Sequence, residues 1–120
     1  MKAVRFERTG GPEVLEYVDV PDPTPGENQA LVNVEAIGVN YRDIYERERD
    51  GGGAAAPAII GTEAGGTTDD GERLAWAHGT ASYAEKVAVD RSKAVPIPDG
   101  VPTDVAVASL LQGMTAYYLS

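Results

Sequence analysis

Two stretches at the start of the chain alternate between apolar and polar positions. "KAVRFE", residues 2–7, and "VLEYVDV", residues 14–20, show the period of two of a half-buried strand. Gly10, Gly11 and Pro12 lie between them, so the pair predicts an antiparallel hairpin. "PDPTPGENQ", 21–29, carries three prolines, which cannot donate to a ladder, and reads as a turn or rim loop. "ALVNVEAIGV", 30–39, resumes as a strand rich in β-branched residues, and Asn40 to about Glu48 fits a short helix. "DGGGAAAPA" is a loop, and "AIIGTEAGG" a strand running into a glycine-lined bend. "RLAWA", "SYAEKVAV" and "KAVPIP" follow as short strands.

From Pro102 the period changes. Val107, Leu111, Met114 and Tyr118 fall at i, i+4, i+7 and i+11, a helical stripe that Gly113 divides into two short helices. The pattern as a whole predicts a mainly β fold with short helices, a small barrel or sandwich punctuated by Gly and Pro. No internal repeat or low-complexity tract interrupts it. The closing "TAYYLS" leaves Tyr117, Tyr118 and Leu119 on an apolar helical run with no glycine C-cap, which predicts a continuation beyond these residues. A tail docked back on the barrel is the alternative.

At 120 residues the chain suffices for one domain with its own core. It contains no cysteine, which removes thiolate metal sites, CxxC redox chemistry and a cysteine nucleophile. The net charge of -9 argues against nucleic acid or an anionic membrane as partner, since both require a basic patch. No apolar run approaches a membrane span, and "MKAVRFERTGG" lacks a signal-peptide core. A cytoplasmic protein is the expectation.

The richest chemistry lies in "GVNYRDIYER", 38–47. Asn40 is a good helix N-cap, and Asp43 three positions on would sit near the positive helix end, so the cluster could be no more than a helix start. Tyr41 and Tyr45, four apart, share a helix face, and a phenol beside an amide makes a donor pair for a carbonyl oxygen. Glu63 stands alone in the small, apolar "PAIIGTEAGG", which predicts a rim position or an arginine partner. His78, the one histidine, reads as an exposed loop residue, and a histidine-based zinc site would lack further ligands. Gln112 and Thr115, three apart, are placed to face a ligand together. Neither GxGxxG nor GxxxxGK[ST] occurs in these residues.

Taken in order, the opening 47 residues, "PAIIGTEAGG", "SYAEKVAV", "VPIPDGV" and "LLQGMTAYYL" resemble the N-terminal GroES-like domain of the quinone oxidoreductase branch of the medium-chain dehydrogenases/reductases. The resemblance implies a GroES-like β-barrel over residues 1–109, with 110–120 opening a helical link to a Rossmann domain that these residues do not contain. It implies hydride transfer from NADPH, or NADH, to a small quinone or enone without zinc, the cofactor being bound mainly by the missing Rossmann domain. By position, Asn40, Asp43 and Tyr45 resemble the catalytic wall, and Asn40, Gln112 and Thr115 the cofactor-facing residues, with no metal ligand. Zinc-dependent relatives carry a cysteine where this chain has Asn40. Two departures from the family stand out: "TTDDGE" shortens the stretch before "GERL", which implies trimmed barrel loops and leaves the local strand register open, and "RERDGGGAAAPA" is rich in Gly and Ala. The alternative is a freestanding GroES-like binding or assembly module that forms a homo-oligomer through its C-terminal helix.

Overall fold

The computed structural model describes residues 1–48 and 57–110. Among these residues eight strands form two antiparallel sheets. β1 (Lys2–Phe6), β2 (Leu15–Asp19) and β4 (Ala58–Ile59) make a three-stranded sheet in the order β2-β1-β4. β3 (Gln29–Gly38), β5 (Glu63–Thr68), β6 (Arg73–Trp76), β7 (Lys86–Asp90) and β8 (Val95–Pro96) make a five-stranded one in the order β7-β3-β5-β6-β8. Helix α1 spans Tyr41–Glu48, and residues 103–110 are helical and form α2. Every strand pair among the described residues runs antiparallel, so they form no parallel βαβ sheet. The mainly β architecture read from the alternation is the one observed.

The opening hairpin pairs Lys2 with Asp19 through Phe6 with Leu15, a short 3₁₀ turn at Pro12–Val14 joining the strands. In the larger sheet β8 lies at an edge, and Pro96 sits there, where its missing N–H breaks no interior ladder. The shortened "TTDDGE" does not disturb the register. Gly66 faces Leu74 and Thr67 faces Arg73, with Gly71 at φ 89° closing the turn. The shift lies instead between β3 and β5, at Val34/Ala36. There, a β-carbon on Gly66 would run into the Asn33 carbonyl, and only glycine permits so close an approach.

"AIIGTEAGG" bends earlier than expected. Gly61, at φ 108°, separates β4 from β5, while Gly65 and Gly66 lie inside β5. "SYAEKVAV" also divides: its ladder with β3 begins at Lys86, and 82–85 instead crosses to the smaller sheet. Val4 N–H donates to Tyr83 O, Tyr83 N–H to Ile60 O and Glu85 N–H to Lys2 O, at 2.9, 3.0 and 3.0 Å. This segment joins the two sheets and satisfies backbone groups that would otherwise form an open edge.

"RLAWA" is buried on both faces, because β6 is covered on either side. Leu74 and Trp76 point into a core with Val32, Ala64, Val87 and Val89, while Ala75 packs with Ile97 and Val107 beneath α2. Phe6, Val14 and Ile60 form a third cluster inside the smaller sheet, with Tyr83 packed against it. Of the predicted C-terminal stripe, Val107 is buried; Leu111, Met114 and Tyr118, like the dividing Gly113, lie outside the described residues. Glu63 is no rim residue: it is 1% exposed, and its carboxylate fills the space left by the absent side chain of Gly38, its partner across the ladder.

Candidate functional site

β3 delivers the chain directly into α1, and Asn40 occupies the N-cap position between them. The cap itself is made by another residue. Asp43, at the third helical position, accepts the Asn40 backbone N–H on Oδ2 at 3.0 Å, the returning half of a capping box. Its own N–H donates to the Asn40 carbonyl at 2.9 Å. The Asn40 side chain is therefore not consumed by the helix start, and its Nδ2 is buried without a hydrogen-bond partner. An unpaired buried donor costs about 1–3 kcal/mol, which a residue serving only as a cap would not carry.

Asp43 is 3% exposed. Besides the Asn40 N–H, its Oδ2 accepts the Tyr83 hydroxyl at 2.6 Å, while Oδ1 has no partner. One turn on, Arg47 is also buried; its guanidinium donates to the Gly10 carbonyl at 3.2 Å, and Gly10 N–H returns a bond to the Arg47 carbonyl at 2.9 Å. Helix α1 is thus fastened to the turn before β2 at one end and to the sheet-joining segment at its start.

These residues wall a groove of about 390 Å³. Leu15, Val39, Ile44 and Ile60 make it apolar, and Asn40, Asp43, Arg47 and Tyr83 supply the polar atoms. A second hollow, about 160 Å³, lies on the other side of Asn40 and is lined by Arg42, Thr62 and His78 among others. Asn40 is the side chain common to both. A flat apolar ring with one carbonyl matches this combination of apolar wall and few polar groups.

The expected site residues fare differently. Asn40 and Asp43 come together in the groove. Tyr45 packs edge to face on Tyr41, ring centroids 5.2 Å apart, so the two tyrosines share a helix face as expected. Tyr41 lines the groove, whereas Tyr45 is not among the groove-lining residues. Gln112 and Thr115 lie outside the described residues. His78 is exposed, as read, yet borders the smaller hollow beside Asn40. Tyr83 and Arg47 were missed. Tyr83 sits in what reads as an ordinary strand, and no local signal ties position 83 to position 43. Among the described residues no group of three or more His, Asp or Glu side chains is arranged to hold a metal ion.

The antiparallel strands, with an apolar groove at the junction of a long strand and a short helix, define a barrel of GroES type. No family model matches the chain. Known proteins do: the quinone oxidoreductase of Pseudomonas aeruginosa is 34% identical over 98% of this chain and 40% of its own length. The Escherichia coli quinone oxidoreductase solved with NADPH superimposes with a TM-score of 0.92 at 32% identity, over 99% of this chain and 40% of that one. A mycobacterial quinone oxidoreductase gives 0.87 at 36% identity, over 99% and 40%. The chain belongs to the quinone oxidoreductase family of the medium-chain dehydrogenases/reductases and corresponds to its N-terminal portion. It spans about two-fifths of the length of the relatives it matches.

Proposed function

We propose that this chain is the substrate-side portion of a zinc-independent, NAD(P)H-dependent quinone or enone reductase, and that it needs a cofactor-binding domain for turnover. The observation that carries the reading is Asn40: a buried, unpartnered amide N–H₂ at the one side chain shared by an apolar groove and a smaller polar hollow. NADPH, when bound, supplies the hydride. The residues present suit the nicotinamide end of such a cofactor, with an apolar groove and an unpartnered amide donor. Neither GxGxxG nor GxxxxGK[ST] occurs in the sequence, and in this reading the phosphates are held by a separate cofactor-binding domain.

In this reading Asn40 orients the ring or the acceptor carbonyl through its amide, and Val39, Ile44 and Ile60 exclude water from the reacting face. Tyr45, Gln112 and Thr115 keep in this reading the site roles that the family resemblance implies. The test is NADPH oxidation with a simple quinone, using this chain fused to the part of Escherichia coli quinone oxidoreductase 1 that it does not match. Turnover that falls at least ~10-fold in Asn40→Ala, the loss expected of one placed hydrogen bond to a reacting group, supports the assignment. A folded chimera that leaves NADPH unoxidised with every quinone and enone offered rejects it.

A further inference from the structure

We infer that Tyr83 is a positioning residue for this site, acting through Asp43 on Asn40; its catalytic consequence rests on the reductase reading above. The bonds run in series. The Tyr83 hydroxyl donates to Asp43 Oδ2 at 2.6 Å, and the same oxygen accepts the Asn40 N–H at 3.0 Å. The Asn40 carbonyl in turn accepts the Asp43 N–H at 2.9 Å, so one residue grips the backbone of Asn40 on both sides. Asp43 Oδ1 is buried without a partner, leaving the carboxylate oriented through the Oδ2 bonds.

Tyr83 is well placed to be the fixed end of this series. Both its backbone groups are committed, N–H to Ile60 O and C=O to Val4 N–H, and its ring packs on the Phe6, Val14 and Ile60 cluster. It is the point where the segment joining the two sheets touches the groove. A charge-assisted O–H···O⁻ bond of this length is among the strong ones, and it transmits the rigidity of the sheets to the first turn of α1. Removing the hydroxyl leaves the Asp43 carboxylate free to turn about its side-chain torsions, and the Asn40 N–H loses a fixed acceptor.

The experiment is Tyr83→Phe, with the exposed Tyr17→Phe as control, read in two ways. In the 120-residue chain, hydrogen exchange by NMR should show the Asn40 amide losing roughly 10-fold protection, the scale of one hydrogen bond of about 1.4 kcal/mol, with Val32 and Trp76 unchanged. In the fused enzyme, kcat should fall roughly 10-fold with KM nearly constant, since a misplaced group weakens transition-state contacts first. Combining Tyr83→Phe with Asp43→Asn should cost no more than the worse single change, because both break one series. An Asn40 amide that keeps its protection overturns the proposal, as does a loosened amide with unchanged kcat. If the unsubstituted fusion is inert, the reductase reading fails separately and the exchange measurement alone decides whether Tyr83 fixes Asn40.

Discussion

Asp43 and Arg47, one helical turn apart and both buried, fasten α1 in opposite directions: the carboxylate to Tyr83 of the sheet-joining segment, the guanidinium to the Gly10 carbonyl before β2. An eight-residue helix is too short to persist in water by its own propensity, so these tertiary ties decide whether the groove exists. Asp43→Ala removes the returning cap bond and leaves the Tyr83 hydroxyl without its acceptor. A loss of about 2 kcal/mol is expected, measured by urea unfolding with the fluorescence of Trp76, the one tryptophan and fully buried.

Asn40→Ala should behave in the opposite way. A capping asparagine costs about 1 kcal/mol when replaced by alanine. Here the side-chain N–H₂ pairs with nothing, so its removal should leave stability unchanged or raise it, by up to the roughly 1–3 kcal/mol an unpaired buried donor costs, while activity of the fused enzyme falls. A clear destabilisation in the same urea experiment would show the residue to be structural.

Glycine positions separate close approach from backbone conformation. A side chain at Gly66 would meet the Asn33 carbonyl at the bulge, and backbone cannot yield as a side chain does. Gly66→Ala should cost about 3 kcal/mol or more. Gly71 has open space around it but φ 89°, so Gly71→Ala should cost only about 1–2 kcal/mol. Equal losses in thermal unfolding would contradict the packing described for β3 and β5.

The surface ion pairs give the pH dependence a definite sign. The hydrogen bond from Lys86, then that from the N-terminal ammonium, holds Asp22 below its ordinary 3.8, and the Lys2 hydrogen bond does the same for Asp19. Lys86 and Lys2 are in turn held above 10.5 by those carboxylates. The depressed carboxylates contribute stability present above 3.8 and lost as pH falls through their lower folded values. The raised lysines contribute stability present below 10.5 and lost as pH rises through their higher ones. All four side chains are solvent-exposed, so the effect is small, and it should vanish at about 1 M salt, where the screening length is roughly 3 Å. Melting temperature against pH at low and high salt tests this, and Asp22→Asn should flatten the acid limb.

Local pattern carried far through the fold and only part of the way into the site. The alternation in "KAVRFE" and "VLEYVDV" identified the first hairpin because half-buried strands have a period of two whatever they pack against. Asn40 and Asp43 were legible as a pair because a helix start has its own residue chemistry. "SYAEKVAV" misled because the same alternation serves a strand and a segment that changes sheets, and the spacing of Tyr41 and Tyr45 establishes a shared face without saying which of the two borders the groove.

The sequence by itself determined the strand order along the chain, the short helix after β3 and, through ordered motifs, the family. Its charge and lack of cysteine narrowed the chemistry further. Only the tertiary structure decided that the Asn40 side chain is left unused by the helix cap, that Glu63 fills the space beside Gly38, and that Tyr83 reaches Asp43 across forty positions. Those facts depend on which strands become neighbours. Neighbours are chosen by burial summed over the whole barrel, and no window of the sequence contains that sum.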